Sequence, residues 1–138
     1  MKNMAGTTQD ILPQKIASRS EEITRDFLRL TEEHITDLLS QRIEKRASTR
    51  MFAEKLFIAP RHLTNTIRLT LGKSPCDVME ERLTDEAKKM LLDTSQTVAE
   101  ISYRFGYNDT TNFIKFFKGM AGVTPLQFRK GLMKETKK

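Results

Sequence analysis

Two short runs of the sequence, fifty positions apart, place hydrogen-bonding and cationic side chains at helical spacing. The first holds Arg61, Thr64, Asn65 and Arg68; the second holds Thr111, Asn112, Lys115 and Lys118. At 100° per residue, the first four share one side of a helix, while Leu63, Thr66, Ile67 and Thr70 share the other. In the second run Thr111, Ile114, Lys115 and Lys118 face outward with Asn112 at the margin, and Phe113, Phe116, Phe117 and Met120 are expected to face inward. The chemistry open to the outward sets is recognition of base edges and phosphates. Arg and Lys donate to guanine O6 and N7, Asn pairs with adenine N6 and N7, and Thr or Ile touches a thymine methyl. Arg68 and Lys118, later in their helices, suit phosphate better than bases. A single exposed polar residue usually does no more than keep a helix face wet; recurrence at matched positions is what favours the functional reading. His62 borders the outward side, and its imidazole can either face solvent or sit half-buried with a hydrogen bond.

These runs need helices to carry them, and the punctuation supplies helices. Gly and Pro are sparse and no stretch alternates with period two, so the fold class expected is all-α: two helix-turn-helix units joined by a long linker helix, seven to eight helices in all. Residues 1–17 read as a flexible tail. Residues 18–47 read as an N-terminal helix or interdomain linker, starting near Glu21 under a cap from Ser18 or Ser20, with Ile23, Phe27, Leu30, His34 or Ile35, Leu38 and Ile43 as its apolar stripe. Residues 48–74 form the first unit, with a short helix over 49–57 and a second from Pro60 to Leu71 that stops at Gly72. Residues 75–95 form the linker helix. Residues 96–138 form the second unit and a C-terminal helix, with a turn at Gly106-Tyr107-Asn108, a cap at Asp109, a stop at Gly122, a restart at Thr124-Pro125 and fraying over Lys134–Lys138.

The two units are an internal repeat. A shift of fifty puts Leu63 on Phe113, Ile67 on Phe117, Arg68 on Lys118, Gly72 on Gly122, Ser74 on Thr124 and Pro75 on Pro125. The small residues Ala53 and Ser102 fall where one helix must pass close to the next. Phe105, Tyr107, Phe113, Phe116, Phe117 and Phe128 recur at helical spacing and read as core, and the seven methionines as gap-fillers.

Charge follows the same division. The chain carries a net +6 with a pI near 9.6, which suits a polyanionic partner. Residues 48–74 hold five basic and one acidic side chain, residues 96–138 hold eight and three, and residues 75–95 between them hold three and six. Two basic blocks around an acidic spacer fit two phosphate-facing surfaces, with chance clustering of solvated charges as the bland alternative.

Other chemistries find little to work with. The only histidines are His34 and His62, Cys76 stands alone and reads as a small apolar filler, and there is no Gly-rich phosphate loop, metal-spaced cluster or serine elbow. The carboxylate pairs Glu21-Glu22, Glu32-Glu33 and Glu80-Glu81 read as solvated neighbours on exposed helix faces. An enzyme is therefore not expected, nor catalytic residues, a cofactor or a metal. No apolar run approaches the ~20 residues of a membrane span, and the first thirty residues lack a secretory apolar block, so a cytoplasmic protein without a membrane partner is expected.

The segment Thr97–Arg129, TVAEISYRFGYNDTTNFIKFFKGMAGVTPLQFR, resembles the signature of AraC/XylS-type transcription regulators. It shares Ile101 with the small residue after it, the turn Gly106-Tyr107, the run Phe113, Phe117, Lys118, and the closing Gly122, Thr124, Pro125, Phe128, Arg129. The first unit is similar in Leu56, the stretch Pro60–Leu63, and Gly72 with Ser74. Two departures stand out: Ser102 replaces the usual alanine, and Lys115 stands where arginine is common. The resemblance implies a bacterial, sequence-specific DNA-binding regulator at the nucleoid. It would read two successive major-groove segments of double-stranded DNA with two recognition helices, recruit RNA polymerase, and be governed by an N-terminal effector-binding or dimerisation domain not present in this chain. Residue chemistry alone leaves two alternatives, a helical protein-interaction module that has lost DNA readout and a nonspecific nucleic-acid binder.

Overall fold

A computed structural model describes the backbone from Thr8 to Gly131 except Glu44, and the side chains from Ser18 onward. The described residues form seven helices and no strand: α1 (Thr8–Leu39), α2 (Thr49–Lys55), α3 (Pro60–Leu71), α4 (Pro75–Asp93), α5 (Val98–Arg104), α6 (Thr110–Ala121) and α7 (Pro125–Arg129). The fold is the all-α, twice-repeated helix-turn-helix arrangement that the sequence predicts. None of these helices is long and apolar enough to cross a membrane.

The chain divides into two compact units. The first joins the residues up to Thr31 with Ser48–Pro75. Its interior is built from Ile23 and Phe27 of α1, Phe52 and Ala53 of α2, and Leu63 and Ile67 of α3. The ring of Phe27 meets that of Phe52 edge-on, with centroids 5.5 Å apart. Each large apolar side chain buried here contributes about 1.5–3 kcal/mol, so these few contacts dominate the unit's stability. Polar groups that enter the interior are matched: the Thr24 and Thr70 hydroxyls lie 2.7 Å apart, and the Thr31 hydroxyl donates to the Phe27 carbonyl.

The second unit joins Glu32–Ala47 with the chain from Cys76 onward. Its interior takes Ile35 and Leu38 from the end of α1, Val78, Met79, Leu83, Ala87 and Leu91 from α4, and Ile101, Phe105, Phe113, Phe117 and Phe128 from the rest. The rings of Phe105 and Phe113, and of Phe117 and Phe128, pack at 5.7 Å. Buried His34 has a structural task, its Nε2 accepting the Ala47 N–H at 2.9 Å. Glu32 is not a freely solvated carboxylate. The Arg82 fork donates to it and to Glu86, and that hydrogen bonding holds the Glu32 carboxyl below its ordinary range.

Several boundaries differ from expectation. α1 begins at Thr8, so Ser18 and Ser20 lie inside it; a serine marks a helix start only where the preceding residues do not continue the helix. α1 ends at Leu39 because Gln41 takes the left-handed conformation (φ 65°), which removes Ile43 from the stripe. Cys76 is exposed rather than a filler, since Val78 and Met79 take the inward positions of that turn of α4. Met120 is 39% exposed because it follows the last packed residue, Phe117, in a helix about to end at Gly122. The parts of the expected tail and fraying segment at 1–7 and 132–138 lie outside the described residues.

Ala53 and Ser102 are both buried at the helix crossings, as their size predicts. The Ser102 hydroxyl, however, finds no hydrogen-bond partner among the described residues. A buried orphan hydroxyl costs about 1–3 kcal/mol. Ser102→Ala is therefore expected to raise the unfolding free energy by ~1 kcal/mol, read by chemical denaturation.

Candidate nucleic-acid interface

Each helix-turn-helix unit is assembled by the same sequence of local events. In the first, the Ser48 hydroxyl accepts from Met51 N and starts α2. After α2 the chain reverses at Phe57, in the left-handed conformation (φ 59°), and the Ile58 N–H returns to the Ala53 carbonyl at 3.1 Å. Pro60 then opens α3 at its first turn, where a missing N–H is no loss. Leu63 and Ile67, one turn apart and both fully buried, hold the inner side of α3, and Gly72 ends it at φ 76°.

In the second unit Thr97 and Glu100 form a capping box that starts α5. The chain reverses at Gly106 (φ 85°), and the Tyr107 N–H returns to the Ser102 carbonyl at 3.2 Å. Asp109 caps α6 by accepting from Thr111 N, Phe113 and Phe117 are fully buried, and Gly122 ends the helix at φ 85°. Thr124 and Gln127 form a second capping box at α7. The shift between the units is 49 positions up to the turn and 50 after it, because the second turn carries one more residue, Asn108, between Tyr107 and the cap Asp109.

The burial of these pairs decides what faces outward. On α3, Arg61, Asn65 and Arg68 are exposed and Thr64 is half-buried; on α6, Thr111, Asn112, Lys115 and Lys118 are all exposed. Each quartet is thus brought together on one face within its own unit. None of Arg61, Arg68, Lys115 and Lys118 pairs with a carboxylate among the described residues, so four cations are left available to an external anion. His62 is exposed rather than held in the interior, and Phe116 and Tyr107 are only half-buried.

Three arginines have tasks that sequence reasoning missed. The Arg104 guanidinium donates to the Leu39 carbonyl, closing the C-terminus of α1. Arg129 does the same for α4, donating to the Leu91 carbonyl at 2.8 Å and the Thr94 carbonyl at 3.2 Å. The Arg46 guanidinium lies over the rings of Tyr107 and Phe116, within cation–π distance of both. The basic block over residues 96–138 is thus partly structural, which a charge count cannot reveal. Arg104 and Arg129 end α5 and α7 but serve the carbonyls at the ends of α1 and α4, so their own positions in the sequence do not signal these contacts.

A family model described as a helix-turn-helix domain matches residues 52–131. The chain belongs to this helix-turn-helix domain family. The HTH-type transcriptional regulator Rv1931c of Mycobacterium tuberculosis is 30% identical over 78 residues, 56% of this chain and 30% of that protein. The chain spans about a third of the length of the curated relatives it matches, between 30% and 39% of each of the first three. An AraC-type DNA-binding-domain regulator from Chromobacterium violaceum superposes with a TM-score of 0.68 at 20% identity, covering 86% of this chain and 98% of that one. The DNA-binding domain of AdpA, the global transcriptional factor, solved with a target DNA, gives 0.59 at 15%, covering 71% and 91%.

The division between structural and outward-facing cations can be measured. Arg129→Ala is expected to lower the unfolding free energy by about 1–2 kcal/mol, the worth of charged hydrogen bonds to one half-buried and one exposed carbonyl. Lys118→Ala is expected to leave it within ~0.5 kcal/mol.

Proposed function

We propose that this chain is the DNA-binding part of a bacterial transcription regulator, inserting α3 and α6 into two successive major-groove segments of one duplex. The observation that carries the reading is the pair of outward quartets, each on the second helix of a helix-turn-helix and each with cations that pair with no carboxylate among the described residues. Arg61 and Asn65 supply the bidentate donors that distinguish guanine and adenine; Thr64 adds a methyl and a hydroxyl, and Arg68 takes phosphate. Thr111, Asn112 and Lys115 read bases in the second segment, and Lys118 takes phosphate. Lysine is a point charge without the planar fork of arginine, so the second segment is read less sharply than the first.

Membership in a family of transcription regulators supports RNA polymerase as a protein partner and an effector-binding or dimerisation domain as a regulatory one. It also supports action at the nucleoid, in the bacterial cytoplasm.

The test is selection of bound sequences from a random duplex pool with the wild-type chain, Arg61→Ala and Lys115→Ala. The wild type is expected to return a site of two segments. Each substitution should weaken binding to it by about 1–3 kcal/mol and relax preference in one segment only, with thermal stability unchanged. Salt-dependent binding without enrichment would reduce the chain to a nonspecific binder, and absence of salt-dependent binding would leave the protein-interaction reading in its place.

A further inference from the structure

Arg46 belongs to the second unit although it precedes α2 in the chain. Its guanidinium carbon lies 5.8 Å from the ring centroid of Tyr107 and 5.7 Å from that of Phe116. Those rings are not loose supports. They are 6.1 Å apart, and each meets Phe113, at 5.6 Å and 6.5 Å respectively. Phe113 is the fully buried residue that sets how α6 is turned, so the same side chain that aims α6 also seats the arginine. Phe116 sits on the flank of α6 beside the outward quartet, next to Lys115 and four positions after Asn112.

Arg46 is itself exposed, and it makes no hydrogen bond or ion pair with a described residue. Glu80 is the carboxylate whose field, with that of Arg46, reaches the Tyr107 hydroxyl, yet it does not pair with the guanidinium. A cation–π contact uses the positive charge of a guanidinium and consumes none of its N–H donors. A cation held in place, with no donor used by a described residue, at the edge of a helix proposed to enter a groove is suited to the oxygens of a backbone phosphate. The planar fork matches two of them at once.

We infer that Arg46 is a backbone-phosphate contact of the second unit, an arm from outside the helix-turn-helix that grips the duplex beside α6. This rests on the DNA-binding reading above. Its position on the flank of α6 makes it a fixed anchor of register rather than a reader of sequence.

The experiment titrates the full chain against a duplex of about 30 random base pairs by fluorescence anisotropy between 50 and 200 mM KCl, for the wild type, Arg46→Gln and Arg46→Lys. Arg46→Gln is expected to lower the slope of log affinity against log salt by about one, so that the wild type loses roughly fourfold more affinity over this range than the variant. Arg46→Lys is expected to keep the wild-type slope, and both variants should select the same bases as the wild type from a random pool. An Arg46→Gln slope equal to that of the wild type, where the wild type itself shows salt-dependent binding, overturns this inference alone. So does a reduced slope accompanied by altered base preference, which would mean that the variant had displaced α6. A wild type without salt-dependent binding overturns the DNA-binding reading and this inference with it.

Discussion

Two pairs of buried side chains, Leu63 with Ile67 and Phe113 with Phe117, fix how α3 and α6 are turned about their axes, and the outward surface follows from that. All four are fully buried. Residues four apart lie nearly above one another on a helix, so each pair defines a line along which the helix is pinned. Turning either helix by one residue, 100°, would bring two such side chains into water, at about 1.5–3 kcal/mol each, and push Arg or Lys stems toward the interior. Nothing on the outward faces approaches that energy: the cations there are exposed and unpaired among the described residues. The chain is therefore free to vary Arg61, Asn65, Thr111 and Lys115 for their chemistry while the fold holds their direction.

The repeat uses one template with different local solutions. Where the second unit reverses at Gly106, the first reverses at Phe57, a residue type that pays for the left-handed conformation and here is 92% exposed, so it recovers nothing from burial. Where α6 has Asp109 as a side-chain cap, α3 has Ala59 and relies on Pro60. The outward chemistry differs in the same spirit. The first unit presents forked arginines and an asparagine; the second presents lysines, a threonine and an asparagine, and borrows a guanidinium from a preceding segment through the Tyr107 and Phe116 rings.

Much of this was legible in the sequence because it is written in short-range signals. Pro60, Gly72, Asp109, Gly122 and Thr124 mark helix ends by backbone and capping preferences that need no tertiary context, and the positions of Leu63, Ile67, Phe113 and Phe117 declare their side of the helix by spacing. Contacts between distant segments were not legible. Arg104 reaches back 65 positions to Leu39 and Arg129 reaches 38 to Leu91, so spacing marks Arg104 only as charge and Arg129 only as a charge that the family resemblance includes, without the carbonyl either one holds. Glu32 looked solvated until Arg82, fifty positions away, was placed beside it. The extent of α1 was missed because serines at 18 and 20 look like caps whether or not helix precedes them. Arg46 had no sequence signal at all, since its task is defined only by where two aromatic rings come to rest.

Whether α3 and α6 both enter the major groove of one duplex is read by tethered cleavage. Leu69 and Gly119 occupy equivalent positions at the edges of the outward faces; Leu69 is 73% exposed, and a Cβ built at Gly119 meets nothing within 4 Å. In a Cys76→Ser background, Leu69→Cys and Gly119→Cys would each carry an iron-chelate cleaving reagent onto the selected duplex. One cluster of strand scission is expected from each tether, centred in two major-groove segments about one turn, ~34 Å, apart. Scission from only one tether, or from both at a single segment, would contradict entry by both helices.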